Sequence, residues 1–152
     1  MNIEPIRPED IPSCVSLITT AFDRYVGCDY SREGKNTFSS FVTEEALLER
    51  FEKKNRMICA RENGRIVGFQ EVRDTNHICL FFVDPEYHSR GIGRALFEYS
   101  LAEIRRKHPE VREITVNSSI YAEPIYARLG FVQTAPPREK SGIKHVPMKY
   151  SL

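Results

Sequence analysis

Between Val83 and Leu96 the chain reads Val-Asp-Pro-Glu-Tyr-His-Ser-Arg-Gly-Ile-Gly-Arg-Ala-Leu, and its residue types suit the capture of an anion. Gly91 and Gly93 lack the Cβ atoms that would hold a ligand away from backbone N–H groups. Arg90 and Arg94 can pair with phosphate oxygens. Ahead of them runs an apolar segment, Ile78 to Val83; behind them Ile92, Ala95, Leu96 and Tyr99 fall at helical spacing. The order strand, glycine turn, helix leaves the first N–H groups of the helix without intrahelical partners, at its positive end. The physical reading is a pyrophosphate cradle from Ser89 to Arg94. It is not a Walker loop, since no Gly-Lys-Ser/Thr follows, and Leu96 stands where a dinucleotide fingerprint has its third glycine.

Other candidates are less specific. Tyr126 falls on the apolar side of a short helix with Ala122, Ile125 and Leu129, which suits a core aromatic. Asn117, at the end of a strand, suits a turn. Asp84 suits a cap for the turn that begins at Pro85. Glu71 is a strand carboxylate open to three readings: a general base, a solvated residue, or a partner for Arg73. His77 is a second candidate base.

These residues need a scaffold. Met1 to Arg7 suits a short strand. Pro8-Glu9-Asp10 opens a helix to about residue 25, with Ile11, Val15, Leu17, Ile18 and Phe22 as its apolar face. Val26 to Val42 is polar and turn-rich and reads as a long loop, whose Tyr30, Phe38 and Phe41 either line a pocket or pin the loop to the core. Thr43 is an N-cap for a helix from Glu44 to Lys54. Strands Arg56–Arg61 and Ile66–Arg73 flank the Asn63-Gly64 turn, and His77–Val83 completes an antiparallel meander. The helix after Gly91 runs to about Lys107, before Pro109. Strand Glu113–Asn117 follows that crossover and should lie parallel to its predecessor. A helix from Tyr121 to Leu129 ends at Gly130, and strands Phe131–Thr134 and Ile143–Ser151 close the chain. The predicted order is β-α-α-β-β-β-α-β-α-β-β. It makes an α/β fold in which a mixed, mostly antiparallel sheet of six to seven strands carries helices on both faces. Residues 1–152 are expected to form one domain.

Two stretches carry a family resemblance. Val-Asp-Pro-x-Tyr-x-x-x-Gly-Ile-Gly-x-Ala-Leu resembles the acetyl-CoA motif of the GNAT (Gcn5-related N-acetyltransferase) superfamily, which reads Gln/Arg-x-x-Gly-x-Gly/Ala; here His88 takes the first position. Val116 to Phe131 resembles the second signature, a strand ending in Asn117 and then a helix with Tyr126 four residues before Gly130-Phe131. Both stand in family order and at family spacing. The resemblance implies a GNAT-like fold and direct transfer of an acetyl group from acetyl-CoA to a primary amine. It implies that His88, Ser89, Arg90, Gly91, Ile92, Gly93 and Arg94 hold the pyrophosphate. Phe81, Phe82 and Val83 would splay from the next strand to admit pantetheine, with backbone N–H groups facing the thioester carbonyl. Asn117 would contact the arm or nearby backbone, and Tyr126 would protonate the leaving thiolate. The strand bearing Phe81 has no carboxylate, so the base expected here is Glu71, directly or through water, or else His77. Two alternatives stand beside the enzyme: a CoA-binding regulatory or sensor domain without catalysis, and a ligand-free interaction domain.

Composition narrows the setting. The 152 residues are 41% hydrophobic and 28% charged, with a net charge of +1, which gives no reason to expect nucleic acid or an anionic membrane as partner. No apolar run suffices to span a bilayer, and the N-terminus lacks the apolar core of a signal peptide. The four cysteines lack C-x-x-C spacing and the four histidines lack zinc-ligand spacing, so free thiols, no metal and a cytoplasmic setting are expected. The acceptor, a small molecule or a peptide amine, is not specified, and a homodimer stays open.

Overall fold

A computed structural model describes residues 1–152. The sheet is built from β1 (Asn2–Pro5), β2 (Arg56–Glu62), β3 (Arg65–Arg73), β4 (His77–Val83), β5 (Glu113–Ser118), β6 (Val132–Gln133), β7 (Arg138–Lys140) and β8 (Ile143–Ser151). Its order is β1-β2-β3-β4-β5-β8-β6, with β7 pairing β8 as a hairpin off that path. All neighbours are antiparallel except β4 and β5, which are parallel because α4 (Ile92–Lys107) crosses over between them. The sequence reading foresaw six to seven strands; the eighth is β7, whose Arg-Glu-Lys is exposed throughout and carries no apolar alternation to reveal it.

Strand β3 is buried along Ile66–Val72, as expected of a strand covered on both faces. The alternation of its neighbour β2 sorts the core. Met57 and Cys59 join Phe69 and Leu80 under α1 (Ile11–Ala21) and α3 (Glu44–Glu52). Ile58 and Ala60 turn the other way, onto Ile92 and Leu96 of α4. A third cluster joins Phe97, Leu101 and Ile104 of α4 to β5, β8 and Tyr126 of α5 (Glu123–Leu129). Helix α4 therefore straddles two cores.

Residues 26–42 depart from the expected loop. A short 3₁₀ turn at Gly27–Asp29 is followed by a helix, α2 (Arg32–Phe41), whose N-cap Ser31 accepts from the Gly34 N–H. Gly34, Asn36, Ser39 and Ser40 are poor helix formers, and only Phe38 and Phe41 mark an inner face. Tertiary contact stabilises the helix. Ser31 Oγ donates to the Gly142 carbonyl at 3.1 Å, and Thr37 Oγ1 lies 3.1 Å from the Ser141 carbonyl. Gly34 is where α2 meets the β7–β8 turn: a Cβ there would stand on the Gly142 carbonyl. Helix α1 also ends unexpectedly, in a π-helical turn over Phe22–Val26.

Gly34→Ala is expected to push α2 off the turn and lower stability by about 1–3 kcal/mol. Urea unfolding checks this; an unchanged midpoint would mean the two backbones separate freely.

Candidate active site

The sheet parts along one seam. Strands β4 and β5 pair only at His77↔Thr115 and Ile78↔Val116. Beyond those rungs β4 stays paired to β3 up to Val83, and β5 stays paired to β8 up to Ser118. The two strands therefore diverge while each remains held on its outer side. A β-bulge marks the start of the parting: Glu71 faces Leu80 and Val72 faces Ile78, leaving Cys79 as the extra residue. Bulges bend the strand that carries them, which accounts for β4 turning from β5 there. The Cys79 thiol donates to the Glu71 carbonyl at 3.5 Å.

At the open end of the seam stands the glycine turn. Ser89 has φ 64° and Gly91, the N-cap of α4, has φ 78°, both left-handed. No acceptor within the protein takes the N–H of any residue from His88 to Arg94. These amides, the dipole of a 16-residue helix and the guanidinium groups of Arg90 and Arg94 make a surface suited to a pyrophosphate. The glycines serve different needs. Gly91 has open space around it and is required by its φ, whereas a Cβ on Gly93 would make only ordinary contact, 3.8 Å from Val83 and 3.9 Å from Phe81, so its bareness matters to whatever approaches from the parting and not to the packing. Arg90 lies over the Tyr87 ring, 4.9 Å from its centroid. Arg94 reaches across to the Arg128 carbonyl, 3.3 Å away. His88 Nε2 donates to the Val83 carbonyl at 3.1 Å; a carbonyl only accepts, so that nitrogen carries the proton.

A cleft of about 580 Å³ runs from this turn through the parting. It gathers Phe81, Phe82, Val83, His88, Ser89, Gly91, Ile92, Gly93, Arg94, Asn117 and Tyr126 from β4, α4, β5, α5 and the turn between β4 and α4; Arg90, Glu71 and His77 are not in its wall. Tyr126 spans the gap, edge-on to Phe81 with centroids 6.0 Å apart. Burial pushes its hydroxyl well above the ordinary tyrosine range, and the Cys79 thiol adds to the shift, so the phenol stays protonated at neutral pH. Tyr30 and Phe38 do line the cleft; Phe41 lies instead under the Arg50 guanidinium at 3.7 Å.

The sequence reading missed Tyr25. Its ring is sandwiched between His88 and Tyr121, with centroids 4.9 and 5.2 Å away, bridging the two lips of the parting. The π-helical turn shifts the helical register there, so the spacing of α1 gave no sign of it. Arg128, also in the wall, carried no signal either.

Glu71 is corrected as a candidate base. It is fully buried and held by Arg50 Nε at 2.8 Å, Arg50 Nη2 at 3.2 Å and Asn55 Nδ2 at 2.8 Å. Three donors hold it, it is absent from the cleft wall, and its partner is Arg50, not Arg73. His77 is turned to Thr115 Oγ1 at 2.8 Å, and burial and then Arg73 lower its basicity. Asp84 caps the turn as expected, accepting from the Glu86 N–H at 2.9 Å and pairing with Arg65 at 2.8 Å.

Arg50→Ala leaves a buried carboxylate unpaired and is expected to cost about 3–5 kcal/mol in urea unfolding. Glu71→Gln should change turnover per folded molecule by less than about threefold, whereas loss of a general base costs roughly 10²–10⁴-fold.

Comparison with known proteins accords with this geometry. Residues 27–152 match the family model described as an acetyltransferase (GNAT) domain. The uncharacterized N-acetyltransferase YafP of Escherichia coli (strain K12) is 28% identical over 131 residues, 86% of this chain and 81% of that protein. A GCN5-related N-acetyltransferase structure from Rhodopseudomonas palustris superposes with a TM-score of 0.86 at 22% identity, covering 99% of this chain and 95% of the other. The PaiA N-acetyltransferase of Thermoplasma acidophilum, solved in complex with coenzyme A, gives 0.81 at 16% identity, covering 99% and 98%. At those identities the two structures speak for the fold alone, whereas the family model spans most of the sequence: the chain belongs to the GNAT acetyltransferase family.

Proposed function

We propose that this chain moves an acetyl group from acetyl-CoA to a primary amine by direct attack, residues 1–152 acting as one domain. One observation carries the reading: the β4–β5 parting opens onto a run of unpartnered amides at the positive end of α4. An elongated ligand with an anionic middle and a polar arm matches that combination.

In this reading Ser89 to Arg94 hold the pyrophosphate through backbone N–H groups, with Arg90 and Arg94 adding charge. His88 acts by keeping the Val83 carbonyl occupied, in place of the family's Gln or Arg. The freed edges of Phe81–Val83 and Asn117 hydrogen-bond the pantetheine arm like an added strand. Amides on that edge face the thioester oxygen as charge builds on it. The amine nitrogen attacks the thioester carbon, a C–N bond forms and the C–S bond breaks. The proton lost from nitrogen passes to water, and the leaving sulfur takes one from Tyr126, which is re-protonated from solvent. Because burial raises the Tyr126 hydroxyl, its acid form persists through the ordinary tyrosine range, and no loss of kcat from this group is expected below about pH 10.

Two variants test the assignment. Gly93→Asp places a side chain and a negative charge inside the parting, and should weaken CoA binding at least 100-fold, about 2.7 kcal/mol, in calorimetry on a folded protein. Unchanged affinity would remove the cofactor from this cleft. Tyr126→Phe keeps the ring packing and removes the donor. It should lower kcat at least tenfold in an assay of CoA thiol release, with CoA affinity and melting temperature nearly unchanged. An early melt with unaltered turnover would make Tyr126 a core aromatic.

A further inference from the structure

No aspartate or glutamate lines the cleft. Its formally charged side chains, Arg94 and Arg128, are cationic, and Arg94 belongs to the anion-binding turn. The acids nearest in sequence to the wall are committed or turned away. Glu71 is held by Arg50 and Asn55, Asp84 by Arg65 and the Glu86 amide, Asp23 and Asp29 are exposed, and Glu86 and Glu123, though next to wall residues in the chain, lie outside the wall. The same wall includes Ala21, Val26, Tyr30, Phe38, Leu80 and Phe82. Its rings are locked together: Phe38 stacks on Phe22 with centroids 3.9 Å apart, and Phe82 meets Phe38 edge-on at 6.0 Å.

That acid-free, ring-rich lining sets two demands on an acceptor. An ammonium group in it would lose water and find no counter-charge, which is strongly unfavourable. A polyamine or an aminoglycoside would bring several such charges at once. The attacking nitrogen must also be neutral, and no carboxylate is placed to deprotonate it. An amine bonded directly to an aromatic ring meets both demands. Its lone pair is delocalised into the ring, so it is uncharged at neutral pH and needs no base. Its ring can join the edge-to-face array of the wall.

We propose that the acceptor is a small aromatic amine of low basicity, its ring seated among Tyr30, Phe38 and Phe82 and its nitrogen turned toward the parting. This rests on the acetyl-transfer reading above. The reaction balances without a further reagent. The aryl nitrogen gains the acetyl carbon and loses one proton, the C–S bond breaks, and the sulfur leaves as the thiol; the products are an N-aryl acetamide and CoA.

The test is a matched acceptor panel with acetyl-CoA, read by thiol release and by mass of the acetylated product. It contains aniline, 4-methoxyaniline, phenethylamine, a peptide with a free N-terminal alanine, spermidine and kanamycin. The expected result is a kcat/KM for 4-methoxyaniline at least tenfold above those for spermidine, kanamycin and the peptide. Phe38→Ala should raise the KM for 4-methoxyaniline at least tenfold while CoA affinity holds. Phe38→Leu, which keeps apolar volume, should preserve the fold and give a smaller increase in the same direction. Preference for phenethylamine, spermidine, kanamycin or the peptide overturns the weakly basic aromatic acceptor and leaves acetyl transfer standing. CoA binding with no acetylation of any amine overturns both, and absence of CoA binding removes the cleft assignment beneath them.

Discussion

Everything in this molecule that bears on chemistry depends on hydrogen bonds that two neighbouring strands decline to make. Parallel strands normally exchange bonds along their whole overlap, and buried backbone groups are seldom left unpaired. Here β4 and β5 share two register pairs and then separate, each anchored to its outer neighbour. Each bond left unmade forgoes a net contribution of about 0.5–1.5 kcal/mol. The rest of the fold compensates. Strand β3 is buried on both faces, α4 spans two apolar clusters, and the Arg50–Glu71–Asn55 group fastens α3 to the strand beside the bulge. His88 occupies one freed carbonyl, that of Val83.

Charge is distributed along the resulting cleft in a simple way. The glycine turn contributes unpartnered amides, a helix dipole and arginine, and the rest of the wall is mostly rings and aliphatic side chains without an acid. Tyr126 is in the same wall, protonated because burial opposes its anion. A catalyst assembled this way relies on fixed backbone dipoles more than on titrating side chains, and dipoles held by strand and helix need little reorganisation as charge develops.

The parts legible in the sequence are those whose signals are local. Asn63-Gly64 gave the hairpin, Gly91 and Gly93 the cradle, and the apolar runs gave β2 to β4 with boundaries near those observed. The cleft-lining residues on the glycine turn and on α5 were legible because their motifs are continuous in the chain. What stayed hidden is set by distant contacts. Helix α2 has poor intrinsic propensity and is held by a turn more than a hundred residues away, through Ser31 and Gly142. Strand β7 exists because β8 offers it an edge. Glu71 stays open in sequence between a base, a solvated strand acid and a partner for Arg73, until Arg50, on another element, is brought over it. Tyr25 depends on a π-helical turn, which no periodicity argument assuming 3.6 residues per turn can place.

The seam has a further consequence, in mechanical terms. The first four strands with α1 to α3, and the last four with α5, are two blocks joined within the sheet by two rungs of hydrogen bonding, and outside it by α4, by the contacts of α2 with the β7–β8 turn and by the Tyr25–Tyr121 stack. Under a load that pulls the blocks apart, strain concentrates at the tip of the parting, near Ile78 and Cys79, as it does at a notch in a beam. A ligand arm bonded to both lips would act as a splice across that notch. The stiffness of the whole sheet, and not only its unfolding free energy, then becomes a property of what fills the cleft.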